Sequence, residues 1–202
     1  MHTIDAVFEG GGVKGSGLVG AIAVAEELGY RFMNVAGTSA GAIIGALVAA
    51  GYSSNEMKSI MDELDYESFR DKGTVGSIPI LGPLANLIFK TGIYEGDFFY
   101  QWLRELLAKK GIKTFGDLVI GEFRDDPRFR YKLQVIVSDV SRGQLLVMPR
   151  DAADFGIEPD TLEVARAVRM SMSIPYFYKP MRLVTKSGIK AYLVDGGLLS
   201  NY

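Results

Sequence analysis

A serine set between two glycines is the residue best placed for chemistry. Ser39 is the centre of Gly37-Thr38-Ser39-Ala40-Gly41, a G-x-S-x-G motif that follows an apolar segment and precedes a run of helix formers. A strand, a sharp turn and a helix form the context of a nucleophile elbow, in which small neighbours leave the serine hydroxyl accessible. The pattern therefore predicts a nucleophilic Ser39, although a serine in such a turn can also simply cap the helix.

The base that would activate this serine is predicted to be a carboxylate. A serine hydroxyl needs a neighbouring base, which is usually a histidine. The only histidine is His2, which precedes the first predicted strand and should lie at the opposite edge of the sheet. Asp195, followed by Gly196 and Gly197, comes directly after an apolar strand-like segment. Since polar groups at the carboxyl ends of strands gather at one edge, we expect a Ser39–Asp195 dyad. An Asp-Gly pair is also a common hairpin turn.

A glycine-rich loop could bind the negative charge that such a reaction creates. The loop Gly10-Gly11-Gly12-Val13-Lys14-Gly15 lies between the first predicted strand and helix. Its glycines permit close backbone approach, and its N–H groups can form an oxyanion hole. The loop also matches the dinucleotide-binding motif G-x-G-x-x-G, but a dinucleotide-binding fold requires a carboxylate at the end of the second strand. Since Gly37 stands there, dinucleotide binding is disfavoured.

The composition excludes several other classes of function. The chain has 202 residues, 22 basic and 24 acidic, which fits one large domain or two small ones. Nearly balanced charge gives no electrostatic support to nucleic-acid binding. A single histidine and no cysteine leave little for a zinc site, so we expect neither metal nor cofactor. The missing cysteines and the lack of a signal-peptide pattern favour a cytoplasmic location.

Strand-like and helix-like segments alternate along the chain. Predicted strands cover residues 3–8, 32–36, 133–137, 144–148, 182–185 and 190–194, and predicted helices cover 15–28, 40–50, 53–64, 95–110 and 162–172. This alternation predicts an α/β layered fold with a largely parallel sheet. The stretch between Arg31 and Glu56 is uncharged and long enough to span a membrane, but the break at residues 37–39 divides it into a strand and a helix.

Two further features allow two interpretations each. Residues 74–89 carry no charge. This segment, taken together with residues 90–93, is either a lid or lipid-docking surface, or a buried irregular connection. Asp139, after the strand at 133–137, either lines the site or bonds its own backbone in a turn, and the turn is favoured.

The ordered motifs GGGVKG, GTSAG and DGG resemble those of the patatin-like phospholipases and their bacterial relatives. Stretches at 92–97, 114–118, 138–143 and 167–177 fit the same pattern. The resemblance implies a three-layer α/β/α fold with a mostly parallel central sheet. It also implies metal-independent hydrolysis of lipid acyl esters, of phospholipase A or lysophospholipase type. It assigns Ser39 as nucleophile, Asp195 as base, and Gly11, Gly12 and Lys14 to the oxyanion hole. Lys14 would alternatively face a lipid phosphate or solvent.

The resemblance covers residues 1–202 as a single domain. The family's domain continues past Tyr202, so the chain is interpreted as a fragment or as a member without its C-terminal part. The implied partners are a lipid acyl ester and, peripherally, a membrane, with the oligomeric state left open. One alternative is a catalytically silent lipid-binding or regulatory protein of the same fold. Another, an esterase with a full triad, is disfavoured because no histidine follows Ser39.

Overall fold

The computed structural model describes residues 2–11, 15–63 and 95–200, and this part of the chain forms a six-stranded sheet with helices on both sides. The strands are β1 (His2–Phe8), β2 (Tyr30–Thr38), β3 (Leu133–Asp139), β4 (Gln144–Met148), β5 (Met181–Val184) and β6 (Lys190–Asp195). The α-helices are α1 (Gly15–Glu27), α2 (Ala40–Ala49), α3 (Ser54–Asp62), α4 (Asp97–Lys109) and α5 (Val164–Ser171).

The sheet is mixed, which corrects the prediction of a mostly parallel one while confirming the α/β fold. The β1–β2 and β2–β3 pairs are parallel, whereas β3–β4, β3–β6 and β5–β6 are antiparallel. The physical reason lies in the connections. Helix α1 carries the chain from β1 to β2, but short turns join β3 to β4 and β5 to β6, and such turns permit only antiparallel pairing.

Strands β2 and β6 lie end to end along one edge of β3. Residues 135–139 of β3 pair with β4 on one edge. On the other edge, residues 133–136 pair with β2 and residues 137–139 pair with β6. Because β2 runs parallel to β3 and β6 runs antiparallel to it, the carboxyl ends of β2 and β6 point at each other.

Helix α2 is the buried helix that follows β2, and nine of its ten residues are buried. Its small side chains let it pack closely on β2, and this confirms the strand–turn–helix interpretation of the uncharged stretch. Among the described residues, no helix has the length and apolar character needed to cross a membrane. Helix α4 turns Phe99, Leu103, Leu106 and Leu107 into the core.

Two other predictions can be compared with the structure. Ser53 begins α3 with a reciprocal capping box, in which its hydroxyl accepts from the Glu56 N–H and the Glu56 carboxylate accepts from the Ser53 N–H. Asp139 is a turn residue: its Oδ1 accepts from the Ser141 N–H at 2.9 Å and its Oδ2 pairs with Arg142. The segment 74–93 lies outside the described residues.

Candidate active site

Ser39 occupies a strained turn between β2 and α2. Its φ of 54° and ψ of −126° lie in a region that residues other than glycine rarely adopt. The flanking glycines make the turn possible. A Cβ on Gly37 would lie 2.3 Å from the Gly41 carbonyl oxygen, and a Cβ on Gly41 would lie 2.1 Å from the Phe8 carbonyl oxygen. Both positions therefore require glycine, and the local geometry is that of a nucleophile elbow.

A buried serine at the end of α5 holds the backbone of this turn. The Ser39 N–H donates to Ser171 Oγ at 2.9 Å, and Ser171 Oγ donates to the Ile136 carbonyl at 2.6 Å. The Ser39 hydroxyl itself contacts the sulfur of Met172 at 3.8 Å, which is a weak partner. The backbone of Ser39 is thus held in place by the end of α5.

Asp195 is the last residue of β6 and lies one position beyond the end of β2. It pairs with Val137, whereas Thr38 pairs with the preceding residue of β3, Ile136. The head-to-head arrangement of β2 and β6 therefore brings Ser39 and Asp195 to the same level of β3. The next residue, Gly196, fits tightly there, since a Cβ on it would lie 2.4 Å from the Ile136 carbonyl oxygen and 3.0 Å from a Thr38 methyl.

The Asp195 carboxylate is buried and only half satisfied. Its Oδ1 accepts from the Gly197 N–H at 2.8 Å, whereas its buried Oδ2 has no hydrogen-bond partner among the described residues. Burial raises the pKa of the Asp195 carboxyl, and the nearby Ser39 hydroxyl and the Gly197 N–H, which favour the charged form, oppose this increase. A carboxylate with an unused oxygen and a raised pKa beside a serine hydroxyl is suited to act as a general base.

Ser39 and Asp195 line the same open cavity of about 360 Å³. The other lining residues are Gly10, Gly11, Ile174, Pro175, Gly197 and Leu198. The structure thus places Gly10 and Gly11 of the glycine loop beside Ser39. Gly12 and Lys14 lie outside the described residues. Gly15 begins α1 and does not line the cavity, and His2 lies at the other end of β1.

Sequence reasoning missed the polar residues of the segment 169–173. Buried Arg169 donates from Nη1 to Ser173 Oγ at 2.7 Å, and the Ser173 carbonyl accepts from the Asp195 N–H at 3.0 Å. With Ser171, this segment supports both members of the dyad. The available signal was the run of polar residues at alternate positions, 169, 171 and 173, at the end of an apolar helix.

The described residues contain no group of three or more His, Cys, Asp or Glu side chains able to hold a metal ion.

Comparisons with known proteins point to one family. The family model for Patatin-like phospholipase matches residues 6–202. Among curated relatives, the uncharacterized protein YqhO of Bacillus subtilis is 46% identical over 98% of this chain, and the cUMP-AMP-activated phospholipase of Escherichia coli is 27% identical over 96% of it. The chain spans 65% and 54% of the lengths of these two relatives.

Solved structures show the same fold at lower identity. VipD from Legionella pneumophila aligns with all of this chain and 46% of its own, with a TM-score of 0.62 and 20% identity. ExoU from Pseudomonas aeruginosa, solved in complex with SpcU, aligns with 87% of this chain and 38% of its own, with a TM-score of 0.56 and 24% identity.

Proposed function

This chain belongs to the patatin-like phospholipase family, and we propose that it is a serine acyl hydrolase that cleaves lipid esters of the phospholipase A or lysophospholipase type. The observation that carries the proposal is that Ser39 and Asp195 line one cavity, in which Asp195 Oδ2 has no hydrogen-bond partner within the part of the chain that the structure describes. The raised pKa of Asp195 supports the role of base, because a more basic carboxylate accepts a proton more readily.

The reaction follows from these positions. Ser39 Oγ attacks the acyl carbonyl carbon while its proton passes to Asp195 Oδ2. The negative charge on the carbonyl oxygen is stabilised by backbone N–H groups of the glycine loop, to which we assign Gly11, Gly12 and the Lys14 region. The C–O bond then breaks, and the alcohol leaves with the proton from Asp195. Water, activated by the same carboxylate, cleaves the acyl-Ser39 ester and restores the serine.

The apolar character of the cavity supports a lipid substrate. Ile174, Pro175 and Leu198 line it, and the neighbouring Tyr176 and Leu199 are 63% and 47% exposed. Exposed apolar groups beside a cavity suit an acyl chain and a lipid surface. We therefore propose peripheral contact with a membrane during catalysis.

A fluorophosphonate probe tests the proposal directly, because it reacts with activated serines. We expect the probe to label Ser39 in the native protein, and to label neither the Ser39→Ala variant nor the heat-unfolded protein. Product analysis on defined phospholipids and neutral lipids would then identify the ester cleaved. If the folded protein is neither labelled nor active on the panel, the hydrolase proposal fails and a silent lipid-binding role takes its place.

A further inference from the structure

A second, larger cavity of about 830 Å³ lies apart from the dyad, since neither Ser39 nor Asp195 lines it. It is bounded by the start of α4, one side of α5 and the residues that lead into β5. The side chains that define its chemistry are Asp97, Tyr100, Glu163, Arg166, Arg169 and Arg182. Its volume is within the range of small-molecule sites.

Most of the acidic groups in this cavity already have partners. Glu95 forms an ion pair with Lys179. Glu163 accepts a hydrogen bond from the Tyr100 hydroxyl, and its Oε1 lies 3.8 Å from Lys113 Nζ. The remaining carboxylate, Asp97, lies in the first turn of α4, where the partial positive charge of the helix N-terminus stabilises it.

The arginines of this cavity differ in the hydrogen bonds and ion pairs that they form. Arg169 is buried, donates to Ser173 Oγ and to the carbonyl oxygens of Glu95 and Lys179, and is held in place. Arg166 and Arg182 form no ion pair within the ranges that the structure describes, and the Arg182 guanidinium lies 5.2 Å from the centre of the Tyr192 ring. Two guanidinium groups without carboxylate partners thus face a cavity whose carboxylates are largely engaged.

We infer that this cavity binds a small phosphate-bearing ligand, held by Arg166 and Arg182. A guanidinium group presents planar, paired N–H donors that match phosphate oxygens in charge-assisted bonds. Arg166 is half-buried and Arg182 is exposed, and Tyr100 and the buried Arg169 line the same cavity. The inference does not depend on hydrolysis at Ser39, because the two cavities share no dyad residue.

Calorimetric titration with pyrophosphate and with glycerol 3-phosphate tests the site. We expect saturable binding to the wild-type protein, weakened about tenfold or more in an Arg166→Gln/Arg182→Gln variant, since losing about 1.4 kcal/mol of binding energy already costs a factor of ten. Arg128→Gln is the matched control, because Arg128 is exposed and paired with Asp126 outside the cavity. Arg169 is left intact because it also supports Asp195. Thermal unfolding establishes that each variant is folded.

Flotation with vesicles separates the two sources of phosphate. If the site binds a lipid headgroup, the wild-type protein will bind phosphatidic acid vesicles more than phosphatidylcholine vesicles, and the double variant will lose that preference. If the soluble phosphates bind and the vesicles show no arginine dependence, the ligand is a free phosphate compound. The proposal is overturned if neither the soluble phosphates nor the vesicles show binding that depends on Arg166 and Arg182. It is also overturned if the cavity binds the polycation spermine instead of phosphate. None of these binding results changes whether the fluorophosphonate probe labels Ser39, so the hydrolase proposal is judged separately.

Discussion

Ser39 and Asp195 stand at the carboxyl ends of two strands that meet head to head along one edge of β3. Thr38 pairs with Ile136 and Asp195 pairs with Val137, so no residue of β3 separates the two strand ends. Gly196 occupies the junction, where a Cβ would lie 2.4 Å from the Ile136 carbonyl oxygen. The distance between Ser39 and Asp195 therefore depends on how closely β6 approaches the end of β2.

Gly196→Ala is expected to push the two strand ends apart and to abolish ester hydrolysis, with a loss of unfolding free energy. The clash is with backbone, which cannot move aside as a flexible side chain can. Gly20→Ala in α1 is the matched control, since nothing lies within 4 Å of its added Cβ. The Gly20→Ala variant should keep full activity, and its unfolding free energy should rise by up to about 1 kcal/mol because alanine has the higher helix propensity. Hydrolysis of a soluble short-chain ester and urea unfolding measure both effects. Full activity in Gly196→Ala would show that hydrolysis does not require the close approach of the ends of β2 and β6.

The turn geometry of the candidate nucleophile Ser39 could be predicted because its signal is local. Gly37 and Gly41 fall within two residues of Ser39, and the close backbone contacts they allow are the reason for the motif. The expectation that Asp195 lies close to Ser39 relied on polar groups gathering at the carboxyl ends of strands. In a largely parallel sheet those ends share one edge, whereas β6 runs antiparallel to β3. Asp195 reaches the site because β6 pairs with β3 beyond the end of β2, which depends on register that a single sequence does not reveal.

The supports of the dyad could not be predicted for a related reason. Ser39 and Ser171 are separated by 132 positions, and no short-range pattern links a serine at a helix end to a backbone N–H that far away. The same applies to Arg169, whose partners include the carbonyl of Glu95. Residue type and local pattern single out Ser39 and Asp195 as candidates, whereas long-range contacts between side chains and backbone determine how these residues are held.

Ser171→Ala is expected to destabilise the protein and reduce turnover. The substitution leaves the Ser39 N–H and the Ile136 carbonyl buried without their partner, and each such group costs about 1–3 kcal/mol. Ser59→Ala is the matched control, since that hydroxyl is exposed and bonds one carbonyl of its own helix. The readouts are urea unfolding and kcat on a soluble ester. A positioning role predicts a lower kcat in the folded variant with KM little changed, and an unchanged kcat would confine Ser171 to packing.

Ser39→Ala and Asp195→Asn are each expected to reduce hydrolysis to near background. Asp195→Asn preserves size and the acceptor for the Gly197 N–H while removing the charge that takes the proton. Groups that act as one unit show non-additive losses, so the double variant should be scarcely slower than either single variant. His2→Ala is the control, because His2 lies at the far end of β1. Retained activity in folded Asp195→Asn, or its loss in His2→Ala, would assign the base elsewhere.

Hydrolysis of a soluble ester is expected to continue after treatment with EDTA. The reaction as proposed uses a carboxylate and backbone N–H groups, and the described residues hold no cluster of metal ligands. A soluble substrate is needed because divalent ions can change lipid surfaces without touching the enzyme. Complete loss that added metal restores would contradict the dyad mechanism.

The pH dependence follows from the raised pKa of Asp195. As a base, the carboxylate must be ionised, so kcat/KM should rise with pH along a single acid limb centred above the ordinary aspartate pKa of about 3.9. The free energy of unfolding should change with pH in the opposite direction. Because the folded protein holds this proton more tightly than the unfolded chain does, the contribution of Asp195 to the unfolding free energy falls as pH rises from the ordinary pKa to the raised one.

Comparison with Asp195→Asn isolates this contribution, because asparagine cannot titrate. The stability of the variant relative to wild type should increase across the same pH window in which wild-type activity appears, at about 1.4 kcal/mol per unit of pKa difference. Urea unfolding of both proteins at several pH values, beside the activity profile, measures the two effects on one group. If wild type instead gained stability over the variant as pH rose, the folded protein would favour the carboxylate. Its pKa would then be lowered, and Asp195 would be a weaker base than its burial implies.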